Sequence, residues 1–179
     1  MLDIANACLI VVDVQGKLAE LMHEKEDLFK NIEILIKTAK ILEIPILCCR
    51  QVPKALGPTV PRIAELLADC QPIDKATFSC CGEENFKTAL TALNRRQIIL
   101  TGIETHVCIY QTATDLLAEG YSVHLPADAV SSRTLANKQI PLQRLTAQRA
   151  NITSTEMTLF ELLKTAENPS FKQIEKLIK

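Results

Sequence analysis

Residues 8 to 12, CLIVV, form an unbroken apolar run rich in β-branched side chains that gives way to polar Asp13 and Gln15. A strand of that length with no polar alternation belongs where both faces are covered, as in a parallel sheet with helices on either side. The segment that follows agrees. From Lys25 to Leu42, apolar residues at Leu28, Ile32, Leu35, Ile36, Ala39 and Leu42 recur at the helical period, and Pro45 ends the pattern.

The same alternation continues along the chain. Ile46 to Cys49 reads as a second strand, and RQVPKALGPTVPRI after it as a loop over the strand end, where ligand contacts often lie. A short helix at Ile63–Ala68 leads to a third strand ending at Lys75, with Phe78, Ser79, Cys80, Cys81 and Gly82 as the next loop. Glu83–Leu93 is helical by period and by its acidic start, and Gln97–Leu100 is a fourth strand within an apolar run that stops at Gly102. A helix from Thr105 to Glu119 closes at Gly120, and Tyr121–Leu125 is the fifth strand. A helix over Thr134–Arg149, a sixth strand near Ile152, a helix over Ser154–Lys164 and an amphipathic helix at Ser170–Ile178 complete the pattern. These elements predict an α/β fold: a doubly wound three-layer α/β/α sandwich with a six-stranded parallel sheet in the order 3-2-1-4-5-6. No repeat or linker divides the sequence, so residues 1–179 are expected to form one domain.

Composition narrows the function. The net charge is −1 and basic clusters such as Arg95-Arg96 are short, which argues against nucleic-acid or membrane partners and for a small-molecule substrate. The seven cysteines are odd in number, and Cys48-Cys49 and Cys80-Cys81 are adjacent, a usage that fits a reduced, cytoplasmic protein. The start, MLDIANACLIVVDVQ, carries Asp3 and Asp13 and lacks a basic region, and so reads as neither a signal peptide nor a membrane span. His23, His106 and His124 are scattered and no C-x2-C, H-x3-H or D-x-H occurs, so no metal and no cofactor is expected. DVQGKLAE, with one glycine, lacks a dinucleotide-binding turn, and Thr114 stands where a cysteine phosphatase built on Cys108 would need arginine.

In a doubly wound sheet the binding crevice opens at the carboxyl ends of the strands, where the winding reverses between strands one and four. That rule brings Asp13, at the end of strand one, beside Cys108, one turn after strand four, with Lys75 opening onto the same edge. Thr105 is a candidate N-cap, which places Cys108 in the first helical turn, where unpaired N–H groups and the helix dipole favour thiolate. Asp13 then makes sense as the base that accepts the thiol proton, and Lys75 as the cation that offsets the charge.

LIVVDVQ, Lys75 ahead of its loop and TGIETHVCIYQTATDLLAEGYSVHLPADAVSSR together resemble the isochorismatase-like cysteine hydrolase superfamily, over about Leu9 to Leu159. The resemblance implies an Asp-Lys-Cys triad, here Asp13, Lys75 and Cys108, in which the cysteine attacks an amide carbonyl to give a thioester that water resolves. It also implies a cis peptide at Ile103-Glu104, an oxyanion hole from the backbone N–H groups of Glu104 and Cys108, and homo-oligomers. The nicotinamidase branch carries an Asp-x-His metal set after strand two that this chain lacks. Leu18 stands where many relatives place an aromatic pocket wall.

Other residues have competing readings. Cys8, Cys48 and Cys49 are expected to be packing, whereas Cys80 and Cys81 fit either core or pocket lining. Leu18, Phe78 and Tyr110 are the candidate substrate contacts, Tyr110 serving equally well at a subunit interface. Gln15 either holds Asp13 or starts the next turn. The leading expectation is thus a metal-independent cysteine hydrolase acting on a small amide or similar acyl compound. The alternative is a non-catalytic binding or scaffold protein on the same fold.

Overall fold

A computed structural model describes residues 1–179. The chain runs β1 (Ala7–Val12), α1 (Gly16–Glu20), α2 (Lys25–Ile41), β2 (Ile46–Gln51), α3 (Pro53–Leu56), α4 (Pro61–Ala64) and β3 (Ile73–Lys75). It continues with α5 (Glu84–Leu93), β4 (Gln97–Ile103), α6 (Tyr110–Ala118), β5 (Ser122–Pro126), β6 (Val130–Ser131), α7 (Leu135–Ala147), β7 (Asn151–Thr153), α8 (Thr155–Leu163) and α9 (Phe171–Glu175). All strand pairs within the sheet are parallel, in the order β3-β2-β1-β4-β5-β7. This is the expected order, with β7 in the place of the strand foreseen near Ile152.

The sheet has one strand more than expected. β4 outruns β5, whose partners stop at Ile99, and the two-residue β6 pairs with the remainder through Gly102↔Val130 and Ile103↔Ser131. The last helix is shorter than the sequence suggested. Beyond Glu175, the Leu177 and Ile178 amides reach back only three residues, to Ile174 and Glu175, so the chain end winds into turns.

The unbroken CLIVV run is explained by its two neighbours. Leu9 and Val11 face one core with Leu28, Ile32, Ile36, Leu159, Leu162 and Ile174 from α2, α8 and α9. Cys8, Ile10 and Val12 face a second core with Phe86, Leu90, Ile109, Leu116 and Leu145 from α5, α6, α7 and the turn before α6. Side-chain caps set several helix starts: Glu83 accepts from the Asn85 amide, Thr134 from Asn137 and Ser154 from Met157. Gly120, in the left-handed region at φ 81°, follows α6 as its sequence position suggested.

Gly102 brings the central strands together at the end that matters. It pairs with Val12, and a Cβ there would come 2.0 Å from the Val12 carbonyl oxygen, at a φ of 121°. The next residue of β1's chain is Asp13, itself in the left-handed region at φ 55°. Gly102→Ala is therefore expected to destabilise the fold by about 1–3 kcal/mol from backbone strain alone, more once Val12 is displaced, as read by chemical denaturation. An unchanged midpoint would show that the approach of β4 to β1 is not tight.

Candidate active site

Three strand ends meet at the carboxyl edge of the sheet. β1 delivers Asp13, β2 delivers Gln51 and β3 delivers Lys75, which lies opposite Gln51 in the β2–β3 register. The Lys75 ammonium is fully enclosed; it donates to Asp13 Oδ2 at 2.7 Å and Gln51 Oε1 at 2.6 Å, and to the carbonyls of Phe78 at 3.1 Å and Thr77 at 3.3 Å. Burial alone would lower the Lys75 pKa, but the facing Asp13 carboxylate and neighbouring thiols outweigh it and hold the ammonium charged above the usual lysine range. For Asp13, burial wins in the other direction and raises the carboxyl above its ordinary value despite Lys75. Asp13 Oδ1 is buried with no hydrogen-bond partner among the protein's side chains and backbone groups, leaving one acceptor free beside the thiol.

Cys108 arrives from the other side of the reversal. The peptide before Glu104 is cis, and residues Thr105–Ile109 form a single π-helical turn ahead of α6, with the Val107 and Ile109 amides both donating to the Glu104 carbonyl. Thr105 is thus not the N-cap that the sequence suggested: it lies inside the turn, fully buried, and its hydroxyl is unpartnered. The Cys108 thiol sits 4.0 Å from Gln51 Oε1. Its environment also corrects an expectation. Burial first, and then the Asp13 carboxylate, push the thiol up to about 12 against the lowering by Lys75, the opposite direction to the expected activation by the helix start.

The thiol opens into a cavity of about 240 Å³ lined by Asp13, Leu18, Gln51, Leu56, Phe78, Ile103, Glu104, Val107 and Cys108. The candidate substrate contacts Leu18 and Phe78 are both in that lining. Tyr110 is not a wall: its hydroxyl accepts from Gln148 Nε2 at 3.2 Å and its ring lies under the Arg144 guanidinium. Cys80 and Cys81 fill core rather than pocket, as do Cys8, Cys48 and Cys49. Glu104 is in the lining, and its carboxylate accepts from Arg133 N at 3.2 Å and Arg133 Nε at 3.1 Å.

Gln51 is the residue that the sequence reading missed. Its amide nitrogen donates to the Ala76 carbonyl at 2.7 Å, which fixes the flip so that Oε1 faces Lys75 and the thiol together. Gln15 neither holds Asp13 nor simply begins a turn; its side chain clamps the Gln51 backbone from both sides, accepting at 2.6 Å and donating at 3.2 Å, and donates to Gly57 at 2.8 Å. Behind β3, Ser79 donates to Asp115 at 2.5 Å and the Cys80 amide to Thr112 at 2.9 Å, tying the Lys75 loop to the helix that follows the thiol.

A family description, the isochorismatase domain, matches residues 7–157. The chain belongs to the isochorismatase family. A protein of Phytophthora sojae named a secreted isochorismatase effector is 38% identical over 97% of this chain and 85% of its own length. The isochorismatase domain-containing protein 2 of Danio rerio is 36% identical over 99% of this chain and 89% of its own. Among solved structures, a Caenorhabditis elegans protein described as a MAR1 ribonuclease superposes with a TM-score of 0.93 at 37% identity, over 99% of this chain and 91% of that one. Isochorismatase-family membership supports a hydrolase role, and no helix is long and apolar enough to cross a membrane.

The enclosed ion pair makes a stability prediction. Lys75→Met leaves a buried carboxylate without its counter-charge, which costs about 3–5 kcal/mol. Removing Lys75 takes away the charge that lowers the already raised Asp13 pKa, so the variant's carboxyl titrates higher still; the loss is fully present only above the variant's pKa and shrinks as pH falls and the carboxyl takes up a proton. Denaturation of the variant at several pH values checks this, and a pH-independent loss would mean that Asp13 does not carry the effect.

Proposed function

We propose that the chain is a cysteine hydrolase that cleaves the C–N bond of a small amide, or the corresponding bond of a similar acyl compound, through a thioester. The observation that carries this reading is the unpartnered, buried Asp13 Oδ1 and the Cys108 thiol lining one cavity together, with Lys75 on the other carboxylate oxygen. In the proposed first step the Cys108 sulfur bonds to the carbonyl carbon while its proton passes to Asp13. The carbonyl oxygen becomes an oxyanion, which the backbone N–H groups of Glu104 and Cys108 would receive. Collapse breaks the C–N bond, and the departing amine takes the proton from Asp13. Water then attacks the thioester, Asp13 accepts its proton, and the sulfur leaves and recovers that proton as the acid is released.

Lys75 does not touch substrate in this scheme. Its ammonium holds one carboxylate oxygen and so leaves the other for proton transfer, and it offsets negative charge as sulfur ionises. Gln51 keeps that ammonium aimed. The description of the Caenorhabditis elegans relative raises RNA as a substrate, but no cationic side chain lines the cavity to meet a phosphodiester, so the acyl reading is preferred.

The pH profile of Cys108 alkylation by iodoacetamide tests the base. In the native chain the thiol proton moves within the pair, so the rate should be flat across neutral pH and fall only as pH drops through the raised Asp13 pKa. In Asp13→Asn the reaction needs free thiolate, and the rate should climb about tenfold per pH unit until the thiol ionises. Matching profiles for the two chains would remove Asp13 from the role. A companion screen over small primary amides, with Cys108→Ala as control, reads turnover directly.

A further inference from the structure

The cavity also has a charge character that the triad does not need. Its walls are Leu18, Leu56, Phe78, Ile103 and Val107, and the two charged residues in its lining, Asp13 and Glu104, are both acids. Each acid already has its cation. Asp13 is paired with Lys75 and Glu104 with Arg133.

Neither cation lines the cavity. Lys75 is wholly enclosed and its N–H groups are committed to Asp13, Gln51 and two backbone carbonyls. Arg133 lies outside the lining and directs its Nε and backbone N–H to the Glu104 carboxylate. A carboxylate or phosphate entering here would lose its water and gain no counter-charge from the lining. An ammonium would fare little better, because both acids are already neutralised by partners and the one free oxygen, Asp13 Oδ1, is the acceptor that the thiol needs.

Resting on the hydrolase reading for the nature of the reaction, we infer that the substrate is an uncharged acyl compound whose acyl group is apolar and only a few carbons long. Leu18 and Leu56 close the apolar side because Gly16 lets the chain after Asp13 pass against the loop after β2; a Cβ at Gly16 would come 2.0 Å from the Leu56 carbonyl oxygen. At about 240 Å³ the cavity falls below the ~300–1,000 Å³ typical of drug-sized ligands, so it excludes large substrates as well as charged ones.

The test compares butanamide, butanoate and butylammonium, three ligands of one size and different charge, for binding to Cys108→Ala by ligand-observed NMR. Butanamide should bind, and each ion should bind at least about tenfold more weakly. Binding of either ion as well as butanamide, or of none of the three, overturns the inference. Because this chain performs no chemistry, that failure is separate from failure of the hydrolase reading, which the pH profiles decide. On the native chain, iodoacetamide and iodoacetate give a second measure. After normalising to glutathione, iodoacetamide should alkylate Cys108 at least about tenfold faster, and equal rates would overturn the assignment. Leu18→Lys, which brings an ammonium to the wall, should restore part of the iodoacetate rate, and no change would show that charge is not what excludes it.

Discussion

A carboxylate and an ammonium withdrawn from water at the end of a sheet can both remain charged only while each faces the other, and the strand ends of this protein are arranged around that requirement. Asp13 closes β1 in a left-handed conformation, Lys75 closes β3, and β2 lies between them in the sheet. The ammonium spans that gap and takes Gln51, the last residue of β2, as a second acceptor. Three strands are thereby bound at their tips by one cation. The pair also acts on the thiol beside it: burial raises the Cys108 pKa most, negative charge at Asp13 raises it further, and Lys75 tempers the effect.

The scaffold around the pair separates what must be rigid from what can vary. Gly102 allows β4 to press against β1, and the π-helical turn after Glu104 places the thiol over the same strand ends. Gln15 fastens the end of β2 and the loop beyond it without touching the reacting groups. Walls made by Leu18, Leu56 and Phe78 come from chain segments outside the strands, whereas Asp13, Gln51 and Lys75 are set by the strand ends themselves.

Much of this was legible in the sequence, for physical reasons that differ by element. CLIVV announced a strand covered on both faces, and the rule that crevices open where winding reverses was enough to bring Asp13, Lys75 and Cys108 to one edge. Gln51 was not legible, because its role depends on β2 running two residues beyond its apolar stretch and lying in register with Lys75, a long-range fact. The turn after Glu104 was read as an ordinary helix capped by Thr105. An added residue in that turn changes the phase of α6 relative to such a helix, and Tyr110 accordingly meets Gln148 and Arg144 instead of the cavity. The two-residue β6 and the four-residue α3 are too short for any periodicity to betray.

A thiol held near 12 has a consequence beyond hydrolysis. Thiolate, not thiol, attacks peroxides and disulfides, and burial together with the Asp13 carboxylate pushes the Cys108 thiol up to about 12, which disfavours thiolate at rest. The surroundings that bury the Cys108 sulfur thus also hold its proton, and oxidants meet a resting thiol shielded twice over.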